Sequence, residues 1–229
     1  LDVSAAGELI EHSISLARLD LSSGQNRFEA EGELSANALD LSWELRALSP
    51  GEFVAGVAGT LTGTGTITGS TEAPRVNARF KGRSLAMDSF STTGVDITLV
   101  AGTAPGDALT LAIATDALLS DGDIVADSLS LKADGSNGRH QLQLAIVAAE
   151  QSIDGRLQGG ITAALDGWQG SIEVLNATTT TLGAWSLAKP TPLSIGIETA
   201  SLGDSCLIRR SGPGRLCAQG SWRNNDDSA

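Results

Sequence analysis

His12 and His140 are the only imidazoles in this chain of 229 residues. A Ser-His-Asp triad needs one of them beside a hydroxyl nucleophile and a carboxylate. Ser and Asp are abundant, but neither histidine lies near a nucleophile-elbow motif. No metal-ligand spacing surrounds them. Asp121-Gly122-Asp123 with Asp127 brings carboxylates together. The full calcium-loop pattern is absent there, and a solvated turn is the favoured reading. Gly63-x-Gly65-x-x-x-Gly69 has the wrong spacing for a dinucleotide loop, and it leads to Pro74 rather than into a helix. Glu29, Glu31 and Glu33 alternate along one stretch, a pattern that keeps a strand soluble and discourages edge pairing. The chain therefore reads as non-enzymatic, with no catalytic residue, metal or cofactor expected.

Cys206 and Cys217 flank Arg209-Arg210-Ser211-Gly212-Pro213-Gly214-Arg215, a hairpin-like span with a Gly-Pro-Gly tip. A disulfide closing that span would contribute roughly 2–3 kcal/mol and needs an oxidising compartment such as the bacterial periplasm. Two unpaired core thiols are the alternative. A two-cysteine metal site lacks its other ligands.

The formal net charge is -12, and Lys plus Arg total only 15. That composition excludes nucleic acid as an expected partner, because phosphate binding needs clustered cations. It also argues against docking on an anionic bilayer through a basic patch. The stretch Phe53 to Thr71 is free of charge until Glu72. It is rich in Gly and Thr rather than apolar, so it makes a poor transmembrane helix. The chain starts at Leu1 and has a single Met. It is expected to be a piece of a longer protein.

The elements that carry these residues are strands. From Val57 to Gly69 the odd positions are Val57, Gly59, Leu61, Gly63, Gly65, Ile67 and Gly69, while Thr fills the even positions from Thr60 to Thr68. A strand turns alternate side chains to opposite faces, so one face is small and apolar and the other is hydroxylated. Such a strand lines something or bends around it. Leu39, Leu41, Trp43 and Leu45 alternate with Asp40, Ser42, Glu44 and Arg46, the cleanest half-buried strand pattern in the chain. Val95, Ile97 and Leu99 follow the same rule, as do Leu109, Leu111 and Ile113. Further rows run through Leu142, Leu144 and Ile146, and from Ile153 to Leu165. Gly167-Trp168-Gln169-Gly170 reads as a break before Ile172 and Val174.

Leu1 to Leu9 carries no clear pattern. The phase of the apolar residues slips near Ala17-Arg18, as one extra residue in a strand would cause. A short helix over Leu9 to Ala17 competes with that reading. In all, on the order of a dozen strands bounded by turn signals are expected, with no crossover helices. They should pair antiparallel and span about 55–60 Å side by side. No segment reads as an interdomain linker, so residues 1–229 are taken as one continuous unit.

Gly makes up 27 residues and aromatics only 3%. Two packed layers would use more bulky side chains. The apolar rows are therefore read as facing a groove rather than a second sheet. A single sheet with one greasy face is an aggregation hazard unless something fills it, and acyl chains fit that need.

Leu39 to Pro50, and the run G-x-L-x-G-x-G-x-I-x-G-S-T-x-x-P-x-V from Gly59 to Val76, resemble the TamB family of bacterial envelope proteins. So do Trp168-Gln169-Gly170, Trp185-Ser186-Leu187 and the passage Cys217-Ala218-Gln219-Gly220-Ser221-Trp222. The resemblance covers most of the chain. It implies an internal periplasmic portion of a longer protein anchored in the inner membrane. The implied fold is all-β: a long sheet curled lengthwise into a trough, the β-taco of AsmA-like proteins, with an apolar interior. The implied partners are the outer-membrane barrel TamA and phospholipid. The implied roles are outer-membrane protein assembly and lipid movement between membranes.

On this reading Leu39, Leu41, Trp43, Leu45, Leu61, Ile67, Val95, Ile97, Leu99, Leu109, Leu111 and Ile113 line the groove. Gly59, Gly63, Gly65 and Gly69 let the sheet curl and keep the groove open. Two other readings stand beside it. One is a chaperone-like scaffold whose sheet edges template strands of an incoming barrel protein. The other is a secreted β-solenoid adhesin or polysaccharide-active enzyme.

Overall fold

A computed structural model describes residues 2–10, 13–35, 37–104, 106–164 and 166–223. Leu1, His12 and Leu165, named above, lie outside the described residues. Among the described residues sixteen strands make up the fold. They begin with β1 (Asp2–Ile10), β2 (Ser13–Ser23), β3 (Asn26–Ser35) and β4 (Leu39–Ala47). After a 3₁₀ turn at Pro50–Glu52 come β5 (Val57–Gly69), β6 (Pro74–Met87), β7 (Phe90–Gly102) and β8 (Ala108–Ser120). Next are β9 (Asp123–Ser136), β10 (Arg139–Ala148), β11 (Gln151–Ile161) and β12 (Gly167–Thr179). The last are β13 (Gly183–Leu187), β14 (Thr191–Gly196), β15 (Thr199–Arg209) and β16 (Arg215–Arg223).

All sixteen belong to one antiparallel sheet. From β1 to β12 each strand pairs with the next in sequence. β13 and β14 then share one slot, end to end. β13 pairs Asn176 to Thr179 of β12, β14 pairs Gly167 to Ile172 of the same strand, and both pair β15. The interruption, residues 188–190, ends at Pro190, which has no N–H to give a ladder, and a second proline, Pro192, follows inside β14. Thr191 between them is fully buried, with its hydroxyl within reach of the Lys189 and Asp204 carbonyls. β16 ends the order on β15. β1 and β16 do not pair with each other, so the sheet is open and not a barrel. Fifteen strand positions extend about 67 Å, longer than the dozen expected from sequence.

Several expectations change. The short helix over Leu9 to Ala17 is replaced by strands, with the predicted slip present as a register shift between Leu16 and Leu19. Leu1 to Leu9 largely becomes β1. Gly167 to Gly170 is not a break but the paired start of β12. The row from Ile153 ends as a strand at Ile161.

Turn chemistry sets the hairpins. Asp121 and Gly122 join β8 to β9 with φ of 52° and 89°. Two consecutive positive φ values make the turn whose twist matches paired strands, and Asp-Gly is its favoured sequence. Asp121 thus belongs to a turn, while Asp123 and Asp127 lie on β9. Among the described residues no group of three His, Cys, Asp or Glu could hold a metal ion.

Alternate hairpin ends line the two rims of the sheet, and buried asparagines stitch them. Asn26 gives its side-chain N–H to the Ser49 carbonyl at 2.9 Å, and its oxygen accepts from the Ser49 N–H at 2.8 Å. On the opposite rim Asn137 donates to the Gly102 and Ala104 carbonyls at 2.6 and 3.1 Å. The Asn137 backbone N–H reaches the Asp107 carbonyl. Asp107 in turn accepts from Arg75 and from the Ala104 N–H, both at 3.0 Å. Those bonds, with Ala104 first and Arg75 second, hold its carboxyl below the ordinary carboxylate range.

The surface area reflects a single layer. The chain exposes 14188 Å² for 23.4 kDa. A compact monomer of that mass exposes roughly 9,700 Å². The fully buried apolar residues are mostly small, among them Ala30, Ala47, Ala78, Ala126 and Ala133, and they sit within the sheet rather than between layers.

Candidate functional site

Register decides which apolar residues meet. Trp43 faces Gly65, then Ala78, Leu99, Leu111, Ala133, Leu142, Leu157 and Ile172 in successive strands. In the other direction it faces Ala30, Leu19 and Ala5. One step along, a second row runs Val3, Leu21, Phe28, Leu45, Gly63, Phe80, Ile97, Ile113, Leu131, Leu144, Gly155 and Leu175. Directly opposed residues share a face. These two rows therefore form one apolar band without a charged side chain across twelve strands. The reverse face carries Ser42, Thr66, Asn77, Val100, Thr110, Asp134, Gln141 and Gln158 in the same order.

The sequence-predicted lining residues all fall on the apolar face. Leu41 opposes Ile67, Ala47 opposes Leu61, Leu99 opposes Leu111 and Ile97 opposes Ile113. Leu39, Val95 and Leu109 lie two residues from members of that face, and Trp43 and Leu45 lie in the two rows above. Val95 and Leu109 are buried; the other ten are only half-buried. Half-burial of large apolar side chains is what one sheet face without a covering layer produces. Thr62, Thr64, Thr66 and Thr68 on the reverse face are exposed, while Gly63 is buried.

The glycines work differently from the expectation. They do not hold the groove open by emptiness. A Cβ on Gly65 would meet the Trp43 ring at 2.6 Å, and one on Gly63 would meet the Phe80 ring at 2.5 Å. The rings of β4 and β6 lie over the glycines of β5 and reach each other across it. Phe28, Trp43 and Phe80 form a chain with centroid separations of 6.2 and 5.4 Å. The rings thereby cover backbone that would otherwise be bare. Trp168 repeats the device, its ring over Gly159 and Gly170. Gly59 has another role. Its φ of +103° and the Ser84 carbonyl beside it mark a bulge, where the register shifts between Ala58 and Thr60.

His140 is buried on the apolar face. Its Nδ1 donates to the Ser136 carbonyl and its Nε2 accepts from the Trp168 Nε1–H, both at 2.9 Å. Both ring nitrogens are committed, so this histidine has no free base for a nucleophile. Sequence reading noticed His140 and Trp168 separately and missed their pairing, which spans the β10, β11 and β12 strands. It also did not place Phe28, Phe80, Leu131, Leu142, Leu144 and Leu157 with the apolar residues it singled out, although register puts them on the same face.

The polar face carries charge in compact networks. Glu29 and Glu44 sit directly opposite, as like charges. Arg18 and Arg27 pair with Glu29, and Arg46 pairs with Glu44 at 2.7 Å. Arg27 also bonds Asp20 and holds its carboxyl below the usual range. A concavity of about 300 Å³ opens there among Arg18, Glu29, Ser42, Glu44 and Thr64.

Cys206 and Cys217 oppose each other across β15 and β16 and form a disulfide, which resolves the two sequence alternatives. No described helix is long and apolar enough to cross a membrane.

The sequence model of the family described as TamB, N-terminal domain matches residues 3–226. The chain belongs to the TamB family. This is a family of envelope proteins concerned with transport and assembly. The match places the chain in the N-terminal domain of TamB proteins, and the open antiparallel sheet is the trough that membership implied. No solved structure matches the chain.

Proposed function

We propose that this TamB domain is a passive lipid conduit in the periplasm, part of a protein anchored in the inner membrane. Phospholipid acyl chains lie along the apolar band and slide between inner and outer membranes. The movement supports assembly of outer-membrane proteins, with an outer-membrane TamA-type barrel as the partner of the full-length protein. The observation that carries this reading is the uncharged, half-buried band running across twelve strands. Burial of methylenes against it is favourable by about 0.8 kcal/mol each. The two central rows offer area and almost no polar anchor, so a chain can move along the wall without breaking specific bonds. Leu39, Leu41, Trp43, Leu45, Leu61, Ile67, Val95, Ile97, Leu99, Leu109, Leu111 and Ile113 are its proposed lining.

A photo-crosslinking residue at Leu111 tests this against one at Thr110, its neighbour on the polar face. Crosslinks to phospholipid at Leu111 and not at Thr110 are expected, together with lipid in mass spectra of the native full-length protein. Equal labelling of the two positions would sink the conduit. Leu41→Arg and Leu111→Arg supply a second test. If both fold and outer-membrane integrity is unchanged, the lining is wrong.

The scaffold reading draws on a different observation: β1 and β16 are sheet edges with exposed residues. It predicts crosslinks to unfolded polypeptide at Val3 or Leu216 rather than to lipid at Leu111. The solenoid reading loses its footing, since a single antiparallel meander is not a stack of coils.

A further inference from the structure

The disulfide is built for exchange as well as for holding. Arg215 lies against both sulfurs: its Nε is 3.2 Å from Cys217 Sγ, and a terminal nitrogen is 3.3 Å from Cys206 Sγ. No carboxylate pairs with Arg215 among the described residues. Among the described residues Asp204 lies 3.8 Å from Cys206 Sγ, and Lys189 holds it at 3.1 Å. Access to the two sulfurs is unequal. Cys206 is 2% exposed, whereas Cys217 stands exposed on β16, a strand with no buried residue.

We propose that Cys206–Cys217 is a thiol–disulfide exchange site for a dithiol protein, with Arg215 as its activating residue. A thiolate of the dithiol attacks Cys217 Sγ, the sulfur that can be reached. The Cys206–Cys217 bond breaks, and its electron pair leaves on Cys206 Sγ as a thiolate beside the Arg215 guanidinium. The second thiol of the partner loses its proton, attacks its own sulfur in the mixed disulfide and expels Cys217 as a thiolate. The partner ends as a disulfide, the two cysteines gain two electrons, and the two protons released by the partner's thiols are available to them. The reverse sequence installs the bond.

Charge on Arg215 favours the step twice, by drawing the attacking thiolate and by stabilising the departing one. The consequence lies in the sheet. β16 pairs with β15 alone and has no buried residue, so a reduced pair leaves that edge held by ladder hydrogen bonds and partly exposed side chains. The inference stands independently of lipid binding.

The test is the rate at which dithiothreitol reduces the 229-residue chain, followed by alkylation and mass spectrometry. Arg215→Ala is expected to slow reduction about three- to tenfold. Arg215→Lys should fall between. Arg210→Ala, whose guanidinium contacts Asn176 instead, should match the wild type. Added salt should slow the wild type and narrow the gap. A rate in Arg215→Ala equal to or above wild type, with amide exchange across 215–223 unchanged, overturns the proposal. Should that variant fray β16, the wild-type chain decides. A mixed disulfide with glutathione on Cys217 and a rate that falls with salt support the proposal. Glutathione on Cys206, or a rate indifferent to salt, overturns it.

Discussion

Thr115 sits on the apolar face between Val95 and Leu129, and its hydroxyl is buried without a hydrogen-bond partner. An unsatisfied buried hydroxyl costs about 1–3 kcal/mol. Thr115→Val removes it without changing shape, and a gain of about 1 kcal/mol is expected in denaturant unfolding. His140 shows the opposite condition, with both nitrogens satisfied. Asp107 supplies the pH dependence of one rim. Its folded carboxyl titrates below the unfolded one, held by the Ala104 N–H and Arg75. Its contribution is therefore complete above the unfolded value of about 4 and lost as pH falls through the folded value. Asp107→Asn should remove this acid-dependent contribution in thermal melts taken from pH 7 to pH 2.

At the scale of elements, β5 and its neighbours carry the argument. A methyl on Gly63 meets the Phe80 ring at 2.5 Å and, less severely, the Arg79 carbonyl at 3.3 Å. Gly63→Ala should cost about 1–3 kcal/mol by overpacking. Phe80→Leu in the same chain should recover much of that loss, because the clash is with a side chain. A double-mutant cycle measures the coupling, and additive effects would reject the seated-ring account. Rims obey different rules. Asn137 joins the β7–β8 and β9–β10 turns through a side chain that is 3% exposed. Asn137→Ala should cost about 1–3 kcal/mol and raise amide exchange at both turns together. Most strands were legible, because a side-chain period of two is a local property of Leu39 to Arg46 or Leu109 to Ile113. Gly167 to Gly170 misled, since Gly before and after Trp168 reads as a turn until its ring is seen to cover Gly170 of its own strand and Gly159 of β11. The slot shared by β13 and β14 was illegible, because Pro190 and Pro192 look like an ending.

For the whole molecule, an open single sheet of about 67 Å predicts an elongated particle. Solution scattering should give a radius of gyration well above the roughly 17 Å of a compact chain of this length. A value near the compact figure would mean that the trough closes on itself in solution. The sequence by itself determined the strands, the hydroxyl and apolar faces and the family, because alternation and turn residues act over a few positions. It also pointed to the disulfide without deciding it. Only the tertiary structure decided which rows oppose each other, since register is set between strands and not within them. It decided that the glycines seat rings, that Trp168 reaches His140 across β11, and that Arg215 lies on the sulfurs. Those contacts join residues whose proximity no local pattern encodes.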